Sequence, residues 1–307
     1  MQPNNKRKVN AAKLSMGSNS LLIAIKVIAG LASGSVSILS EAAHSGADLL
    51  ASIIATISVS ISDKPPDKAH PYGHGKIENV SGVIEGLLIF GAAAFILAES
   101  IDKIINPGAF EITLLPIAVM IVSALMNFFV SKYLYKVAKD EDSIALEADA
   151  LHLKTDVLTS AGVALGLILI MLTGISILDP LVAIVVAMLI VREAWHLCSN
   201  AFNPLLDTSL SDEEEEVISQ ILNEHFTTDF HFCHLKTRKS GPNKFIDFYA
   251  RVSPEIPIKE ANEMTKHLQN EIQGLIPNTH FQINVEAMDE CKYSCKQKSN
   301  ICLKKLQ

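Results

Sequence analysis

Long apolar stretches constrain this 307-residue chain more than any other feature of its sequence. Ile112–Ser131 and Val157–Leu178 contain no charged residue, and about 20 apolar residues are enough for a helix to cross the roughly 30 Å core of a bilayer. Four further stretches are rich in Leu, Ile, Val, Ala and Gly but carry isolated charges, at about residues 13–33, 37–61, 79–101 and 178–198. The sequence therefore predicts an all-α membrane domain, a bundle of six transmembrane helices.

The composition agrees with a membrane protein. Apolar residues make up 49% of the chain and charged residues 19%, whereas a soluble domain is about 25% charged. The net charge of -7 at pH 7 argues against nucleic-acid binding, which usually requires a basic surface. The five cysteines are odd in number and mostly late in the chain, which indicates reduced thiols that face the cytosol.

Basic residues between the predicted spans are unevenly distributed. One set of loops holds nearly all of them: Lys6, Arg7, Lys8, Lys13, Lys64, Lys68, Lys76, Lys132, Lys136 and Lys139. The opposite loops contain little beyond Lys103. Because cytoplasmic loops carry the excess of Lys and Arg, we expect a multi-pass protein with both termini in the cytoplasm. Residues 1–13 lack the short apolar core of a cleavable signal peptide.

A change of composition near residue 200 indicates a second domain. Ser211 precedes a run of acidic residues, a pattern typical of a helix start because the serine caps the helix and the acids favour its dipole. The order α-β-β-α-β follows, with segments to about 225, at 229–239, 244–252, 258–273 and 280–286. We predict a cytoplasmic α+β, ferredoxin-like domain. The predicted organisation is a cytoplasmic tail (1–12), a six-helix membrane domain (13–199), the α+β domain (200–289) and a Lys/Cys-rich tail (290–307).

Two pairs of histidine and aspartate lie in the predicted second and fifth spans. His44 and Asp48, like His152 and Asp156, are four residues apart, so the two side chains of each pair share a helix face. Two such faces opposite each other would offer two imidazoles and two carboxylates, a set suited to tetrahedral Zn²⁺. The alternative is a buried ion pair that holds helices together, but ionisable groups at bilayer depth normally have a functional partner.

Two similar groups lie outside the predicted spans. His225 and Asp229 repeat the four-residue spacing in the soluble domain, where a structural or surface role is the better interpretation. Asp67, His70 and His74 lie in the loop between the second and third spans. Their spacing suits a second metal site at the membrane surface, although loop histidines are usually only solvated.

Several motifs together resemble one family, the cation diffusion facilitators, which are proton-coupled exporters of divalent transition metals. The likeness extends from about residue 12 to 287, and the chain looks most like the bacterial FieF/YiiP branch. The motifs that carry it are Gly34–Leu39 before the second span's ligands, His74–Glu78 after the loop, Leu205–Asp207 after the sixth span, and Thr237–Pro242 in the soluble domain.

The resemblance implies a homodimer in a lipid bilayer, held by a soluble domain that dimerises and senses metal. It implies a transport site between spans two and five, which would consist of His44, Asp48, His152 and Asp156. FieF/YiiP-type members carry an aspartate at the position of His44, and a His/Asp plus His/Asp set looks instead like the zinc-transporting animal members. The family's loop site maps onto Asp67, His70 and His74, and its charge interlock at the membrane surface maps onto Lys76 and Asp207.

The soluble domain departs from the family pattern. Of the branch's bridging zinc ligands only His234 matches, and the other positions hold Asn262, Asn284, Glu286 and Tyr249. Asparagine is a poor zinc ligand beside imidazole, so a site with two metal ions is not expected. The prediction that remains is a cytoplasmic metal site that includes His234 and Glu286. An alternative set of thiolates and imidazole is open: Cys233, His280, Cys291 and Cys295.

We expect from these observations a secondary transporter, not an enzyme, that moves Zn²⁺ out of the cytoplasm against H⁺. Cd²⁺, Fe²⁺ and Co²⁺ are further candidate substrates, and the bacterial inner membrane is the expected location. Metal binding requires deprotonated ligands, so binding would release protons and protonation would expel the metal. Two alternatives are a membrane-anchored metal sensor without transport and a passive metal channel.

Overall fold

The computed structural model describes residues 3–33, 36–106, 114–173, 175, 177–225, 227 and 229–288. Contacts divide the chain into two compact units, with the boundary between Asn203 and Pro204. In its described part the N-terminal unit is built from helices, whereas the C-terminal unit contains both helices and a sheet. The predicted class, a helical membrane domain followed by an α+β domain, is confirmed.

Six long helices form the described part of the N-terminal unit. They are α1 (Pro3–Ser33), α2 (Val36–Ser62), α3 (Lys76–Ile105), α4 (Leu114–Glu141), α5 (Ile144–Thr173) and α6 (Leu178–Phe202). Among the described residues, α1, α3, α4 and α6 contain segments long and apolar enough to cross a membrane, and α2 contains the shorter apolar segment Asp48–Ser62. Polar side chains interrupt α2 and α5, and these are the helices that carry the predicted metal ligands.

Two helices begin earlier than the hydropathy of the sequence indicates. Helix α1 starts at Pro3, inside the segment expected to be a tail. Lys8 in its second turn is buried, and its Nζ lies 3.1 Å from a carboxylate oxygen of Asp63 and 3.1 Å from one of Glu78. Helix α5 starts at Ile144, before the uncharged stretch from Val157. His152 and Asp156 therefore lie in the polar N-terminal half of α5.

Helices α3 and α6 approach each other closely at small residues. A Cβ atom on Gly86 would collide with Sγ of Cys198, and one on Gly82 would lie 3.0 Å from Cβ of Ala201. Small residues allow such close contact between membrane helices, where packing rather than the hydrophobic effect drives association. This contact fixes α3 beside α6.

The C-terminal unit follows the predicted order. It consists of α7 (Asp212–Glu224), β1 (Phe230–Ser240), β2 (Asn243–Val252), α8 (Ile258–Leu275) and β3 (Thr279–Ala287). The strand order is β1-β2-β3, with β1 and β2 antiparallel and β2 and β3 parallel. A capping box starts α7, because Ser211 Oγ accepts from the backbone N–H of Glu214 while the Glu214 side chain bonds back to Ser211.

Helices α7 and α8 cover one face of this sheet. Ile218 and Leu222 of α7 and Leu268 of α8 are at most 1% exposed, and they belong to one apolar core with Phe230 and Phe248 of the sheet. Burial of such side chains contributes about 1.5–3 kcal/mol each. The apolar stripe of each helix thus faces the sheet, and its polar face remains available for other contacts.

Candidate metal centres

The structure brings together three of the four side chains predicted for the intramembrane site. Asp48 comes from α2, and His152 and Asp156 come from successive turns of α5; one ligand atom of each lies within 4.8 Å of the others. Oδ1 of Asp48 is 3.1 Å from Nε2 of His152. Asp48 and His152 are buried and Asp156 is partly buried. Two carboxylates and an imidazole at this distance can enclose a divalent cation.

The fourth predicted ligand, His44, lies on α2 one turn before Asp48, but its side chain lies outside the described part of the structure. Its place in the ligand set remains a prediction that rests on the helical spacing. The spacing puts the two residues on the same face of α2.

Neighbouring helices hold the ligands by hydrogen bonds. Asn127 of α4 donates from Nδ2 to Oδ2 of Asp156 over 3.2 Å, and Asn19 of α1 donates to Ser52 Oγ over 2.6 Å. Ser52 in turn lies one helical turn after Asp48 and bonds to its carbonyl oxygen at 3.2 Å. Groups that hold ligands in this way orient them and raise metal affinity. No spacing pattern in the sequence indicates Asn127, because its role depends on the packing of α4 beside α5.

One ring nitrogen of His152 faces Asp48, and the other, Nδ1, has no hydrogen-bond partner among the described groups. A buried polar atom without a partner is unfavourable unless an ion or a water molecule binds to it. The imidazole therefore retains donor or acceptor capacity beyond its contact with Asp48.

Two more buried carboxyl groups lie near these ligands. Glu85 of α3 and Asp149 of α5 are 0% exposed, and both interact electrostatically with His152. Ser81 donates to Glu85; Ser52 donates to Asp149. Neither carboxyl group is predicted from the sequence as part of the site: Glu85 is one of the isolated charges in the apolar stretch at 79–101. The available signal for Asp149 is its position three residues before His152, on the same helix face.

The loop between α2 and α3 brings Asp67, His70 and His74 together. Oδ1 of Asp67 lies 3.2 Å from Nδ1 of His70, Oδ2 lies 3.4 Å from Nε2 of His74, and the two imidazole rings are 4.5 Å apart. One ligand atom from each residue falls within 4.8 Å of the others. Each carboxylate oxygen of Asp67 thus contacts one histidine nitrogen, and a metal ion could bind between these atoms.

The turn that forms this loop site also fixes the charge of Asp67. Backbone N–H groups of His70 and Ala69 donate to its carboxylate at 2.7 and 2.9 Å, and these bonds lower the pKa of Asp67 below its usual value. Gly73 has φ = 85°, in the left-handed region that favours glycine, and its N–H bonds to the carbonyl of His70 at 3.0 Å. The turn thereby places His74 beside Asp67.

The predicted charge interlock consists of residues from different units. Lys76 begins α3. Asp207 has φ = 55°, and its Oδ1 lies 3.4 Å from a guanidinium nitrogen of Arg238 in the same unit. The pairing of Lys76 with Asp207 remains a prediction, and Arg238 is a partner of Asp207 that the sequence did not indicate.

The residues predicted for the cytoplasmic site lie on the sheet. His234 has φ = 55° at an irregularity of β1, where the pairing with β2 shifts; its ring is 5.6 Å from that of Tyr249. Glu286 of β3 lies 3.9 Å from Nε of Arg251. In the part of the chain that the structure describes, no cluster of three potential ligands includes His234 or Glu286.

The structure describes two members of the alternative thiolate set, Cys233 and His280. Cys233 is buried, and the ring of His280 stacks on Phe245 at 5.1 Å. Cys291 and Cys295 lie outside the described residues. This set remains a prediction.

Comparison with known proteins gives consistent matches along the chain. Residues 12–206 match the model of the cation efflux transmembrane domain, and residues 210–288 match that of the cation efflux protein cytoplasmic domain. An uncharacterized transporter of Synechocystis sp. is 31% identical over 92% of this chain and 91% of its own length. The magnetosome protein MamB of Magnetospirillum gryphiswaldense is 32% identical over 82% of this chain and 84% of its own. The cation-efflux pump FieF of Shewanella oneidensis is 31% identical over 83% and 86%.

Proposed function

The chain belongs to the cation efflux family, and from that premise we propose that it exports Zn²⁺ from the cytoplasm in exchange for H⁺. The observation that carries the proposal is the meeting of Asp48 with His152 and Asp156 between two helices of the membrane domain. Three buried or partly buried metal ligands at one point between α2 and α5 suit a substrate site inside the membrane.

Zinc is the preferred substrate because of the donor set. Imidazole nitrogen with carboxylate oxygen suits a borderline cation that accepts four-coordinate geometry, and His44 would complete an N₂O₂ set. Cd²⁺, Fe²⁺ and Co²⁺ can use the same ligands, so they are secondary candidates.

Proton coupling follows from the chemistry of the ligands. A carboxylate and an imidazole can bind the ion only after losing their protons, so binding releases protons and protonation releases the ion. Glu85 and Asp149 support the proposal, because each is a buried carboxyl group near His152 and can hold a proton close to the site. Helix movements around a fixed central site would then expose it to each side in turn.

The remaining features fit an exporter in a bacterial inner membrane with both termini in the cytoplasm. Asp67, His70 and His74 would collect ions at the cytoplasmic mouth. The domain at 210–288 matches a cytoplasmic cation efflux domain, and a homodimer held by this domain completes the proposal. We assign no enzymatic reaction to the chain.

Two other functions use the same ligands: a membrane-anchored zinc sensor and a passive zinc channel. Zinc accumulation in inverted membrane vesicles separates them from an exporter. Vesicles with this protein should accumulate ⁶⁵Zn against its gradient when respiration acidifies their interior, and vesicles with Asp156→Ala should not. Absence of uptake would favour the sensor, and uptake that stops at equal concentrations would favour the channel.

A further inference from the structure

A third group of potential metal ligands lies on the helical face of the C-terminal unit. Nε2 of His225, the residue that caps the end of α7, is 3.3 Å from Oε2 of Glu271 on α8. Nε2 of His267 is 4.0 Å from the same oxygen. One ligand atom from each of the three residues lies within 4.8 Å of the others. This cluster is separate from the sheet residues His234 and Glu286.

The backbone fixes the orientation of the His225 ring. Its Nδ1 lies 2.9 Å from the carbonyl oxygen of Ile221, and a carbonyl oxygen can only accept, so Nδ1 carries the proton. In the neutral imidazole the lone pair is then on Nε2, the atom that faces Glu271. A histidine that binds metal is commonly held through its other nitrogen by a carbonyl in this way.

The other two ligands are arranged by the helix itself. His267 and Glu271 are four residues apart on α8, so they project from one face. The imidazole rings of His225 and His267 lie 5.5 Å apart, with an angle of 62° between their planes. A cation placed among the three Nε2 and Oε2 atoms would require only small side-chain movements.

An open cavity of about 300 Å³ adjoins the cluster. It is lined by His225 and His267 and by two further carboxylates, Glu260 and Glu263, together with Met264. The side chain of His267 is 72% exposed, so an ion can reach the site from solvent. The cavity has room for water as a fourth ligand, and the carboxylates of Glu260 and Glu263 lie at its wall beside the apolar side chains of Phe230, Met264 and Leu268.

We propose that His225, His267 and Glu271 bind one Zn²⁺ ion, or a similar divalent transition metal, and thereby connect the end of α7 to α8. Two imidazoles and one carboxylate form a familiar three-ligand zinc set that leaves a position for water. The proposal does not rest on transport, because all three ligands belong to the C-terminal unit. Without metal, the same side chains would form an ion pair between a protonated imidazole and Glu271.

Zinc binding by the purified full-length chain tests the proposal. Bound zinc is counted by mass spectrometry after equilibrium dialysis, for the wild type and for Glu271→Gln, His267→Ala and His267→Cys. We expect one equivalent fewer in Glu271→Gln and His267→Ala, and the wild-type count in His267→Cys, because a thiolate also binds zinc. Glu255→Gln is the matched control, because Glu255 is exposed elsewhere in the same unit, and it should retain the wild-type count.

Hydrogen exchange localises the ion. Zinc should slow amide exchange at the end of α7 and along the second half of α8 in the wild type and in Glu255→Gln, but not in Glu271→Gln. An unchanged zinc count with unchanged zinc-dependent exchange in Glu271→Gln would show an ion pair only and overturn the proposal. So would loss of the same equivalent in Glu255→Gln. Zinc transport by Glu271→Gln is measured in parallel, so that a failure of the proposed function is seen separately.

Discussion

Oδ1 of Asp48 lies 3.1 Å from Nε2 of His152, although 104 positions separate the two residues in the chain. The contact exists because α2 and α5 pack together. Asn19 of α1 donates to the carbonyl oxygen of Asp48, and Asn127 of α4 donates to the carboxylate of Asp156. A carboxylate and an imidazole in contact within a membrane domain form either an ion pair or part of a metal site. Substitutions at these two residues and their neighbours separate the two interpretations.

Removal of either carboxylate at the intramembrane site should abolish transport and leave the protein folded. Asp48→Ala and Asp156→Ala each take one charged ligand from the ion, and we expect zinc affinity to fall more than the roughly 10- to 100-fold typical for loss of a group that only supports a ligand. Zinc flux and binding by the purified variants are the measurements. Asp102→Asn is the control, because Asp102 is exposed near the end of α3 and accepts a local bond from Asn106. Wild-type flux in Asp156→Ala would contradict the assignment.

Asn127→Ala should weaken zinc binding without abolishing it. The variant leaves Asp156 in place but without the 3.2 Å bond that orients its Oδ2, and we expect a loss of about 10-fold in affinity, the lower end for a group that holds a ligand. Titration of zinc into the purified protein measures it. Asn79→Ala, at a buried asparagine of α3 that bonds to the carbonyl of Ala201, should keep the wild-type affinity. Equal losses in both variants would indicate a general packing defect.

Asp67→Asn should reduce zinc transport at low zinc concentration and leave the maximal rate unchanged, because the loop site would collect ions rather than move them. The pKa of Asp67 is lowered by backbone hydrogen bonds. Its negative charge is therefore present at and above the usual Asp value of about 3.9 and is lost only as the pH falls through a still lower value. Between pH 5 and 8, any change in loop binding must come from other groups. Initial rates across zinc concentration and pH test this, and a lower maximal rate with unchanged half-saturation would contradict it.

Much of the fold follows from the sequence because its signals are local. The apolar stretches predict six helices, and the cap at Ser211 with the α-β-β-α-β order predicts the elements of the C-terminal unit to within a few residues. The ends of helices that are buried through polar contacts were missed. Lys8 makes the start of α1 look like a solvated tail, whereas the ion pairs with Asp63 and Glu78 that bury it join residues distant in the chain.

The same difference between local signals and contacts of distant residues applies to the candidate sites. Asp48, His152 and Asp156 were identified because a four-residue spacing within a helix is visible in the sequence. Asn127 and the cluster of His225 with Glu271 were not, because their contacts depend on how separate helices pack. In the sequence His225 is paired at helical spacing with Asp229, but α7 ends at Glu224, so that spacing does not apply.

His44→Asp should broaden metal choice towards Cd²⁺ while keeping transport. The change turns an N₂O₂ set into NO₃, and oxygen is a harder donor than imidazole nitrogen, so part of the preference for zinc is lost. A carboxylate can also bind through both oxygens, which relaxes the demand for a tight tetrahedron. Zinc and cadmium transport are compared across pH 5.5–8. An unaltered Zn/Cd ratio with an unaltered pH profile would mean that His44 does not contact the ion.

Asp207→Ala should weaken the proposed dimer more than it weakens zinc binding. The hypothesis is that Asp207 pairs with Lys76 at the membrane surface, while Arg238 is a further partner 3.4 Å away in the same unit. Arg238→Gln is the matched variant: it removes the local partner and should leave the dimer dissociation constant near the wild-type value. Dissociation measured by single-molecule photobleaching in liposomes tests this. Equal effects of the two substitutions would assign Asp207 to Arg238 alone.

Zinc flux in proteoliposomes under an imposed pH step measures proton-coupled zinc transport directly. The purified wild-type protein is reconstituted with a zinc-sensitive dye inside and with the interior made acidic. For an exchanger of Zn²⁺ for H⁺ we expect zinc entry that stops when an ionophore removes the pH gradient, proton efflux in step with that entry, and neither flux in Asp156→Ala. Zinc entry at the same rate with and without the pH gradient, or no difference between the wild type and Asp156→Ala, would contradict it.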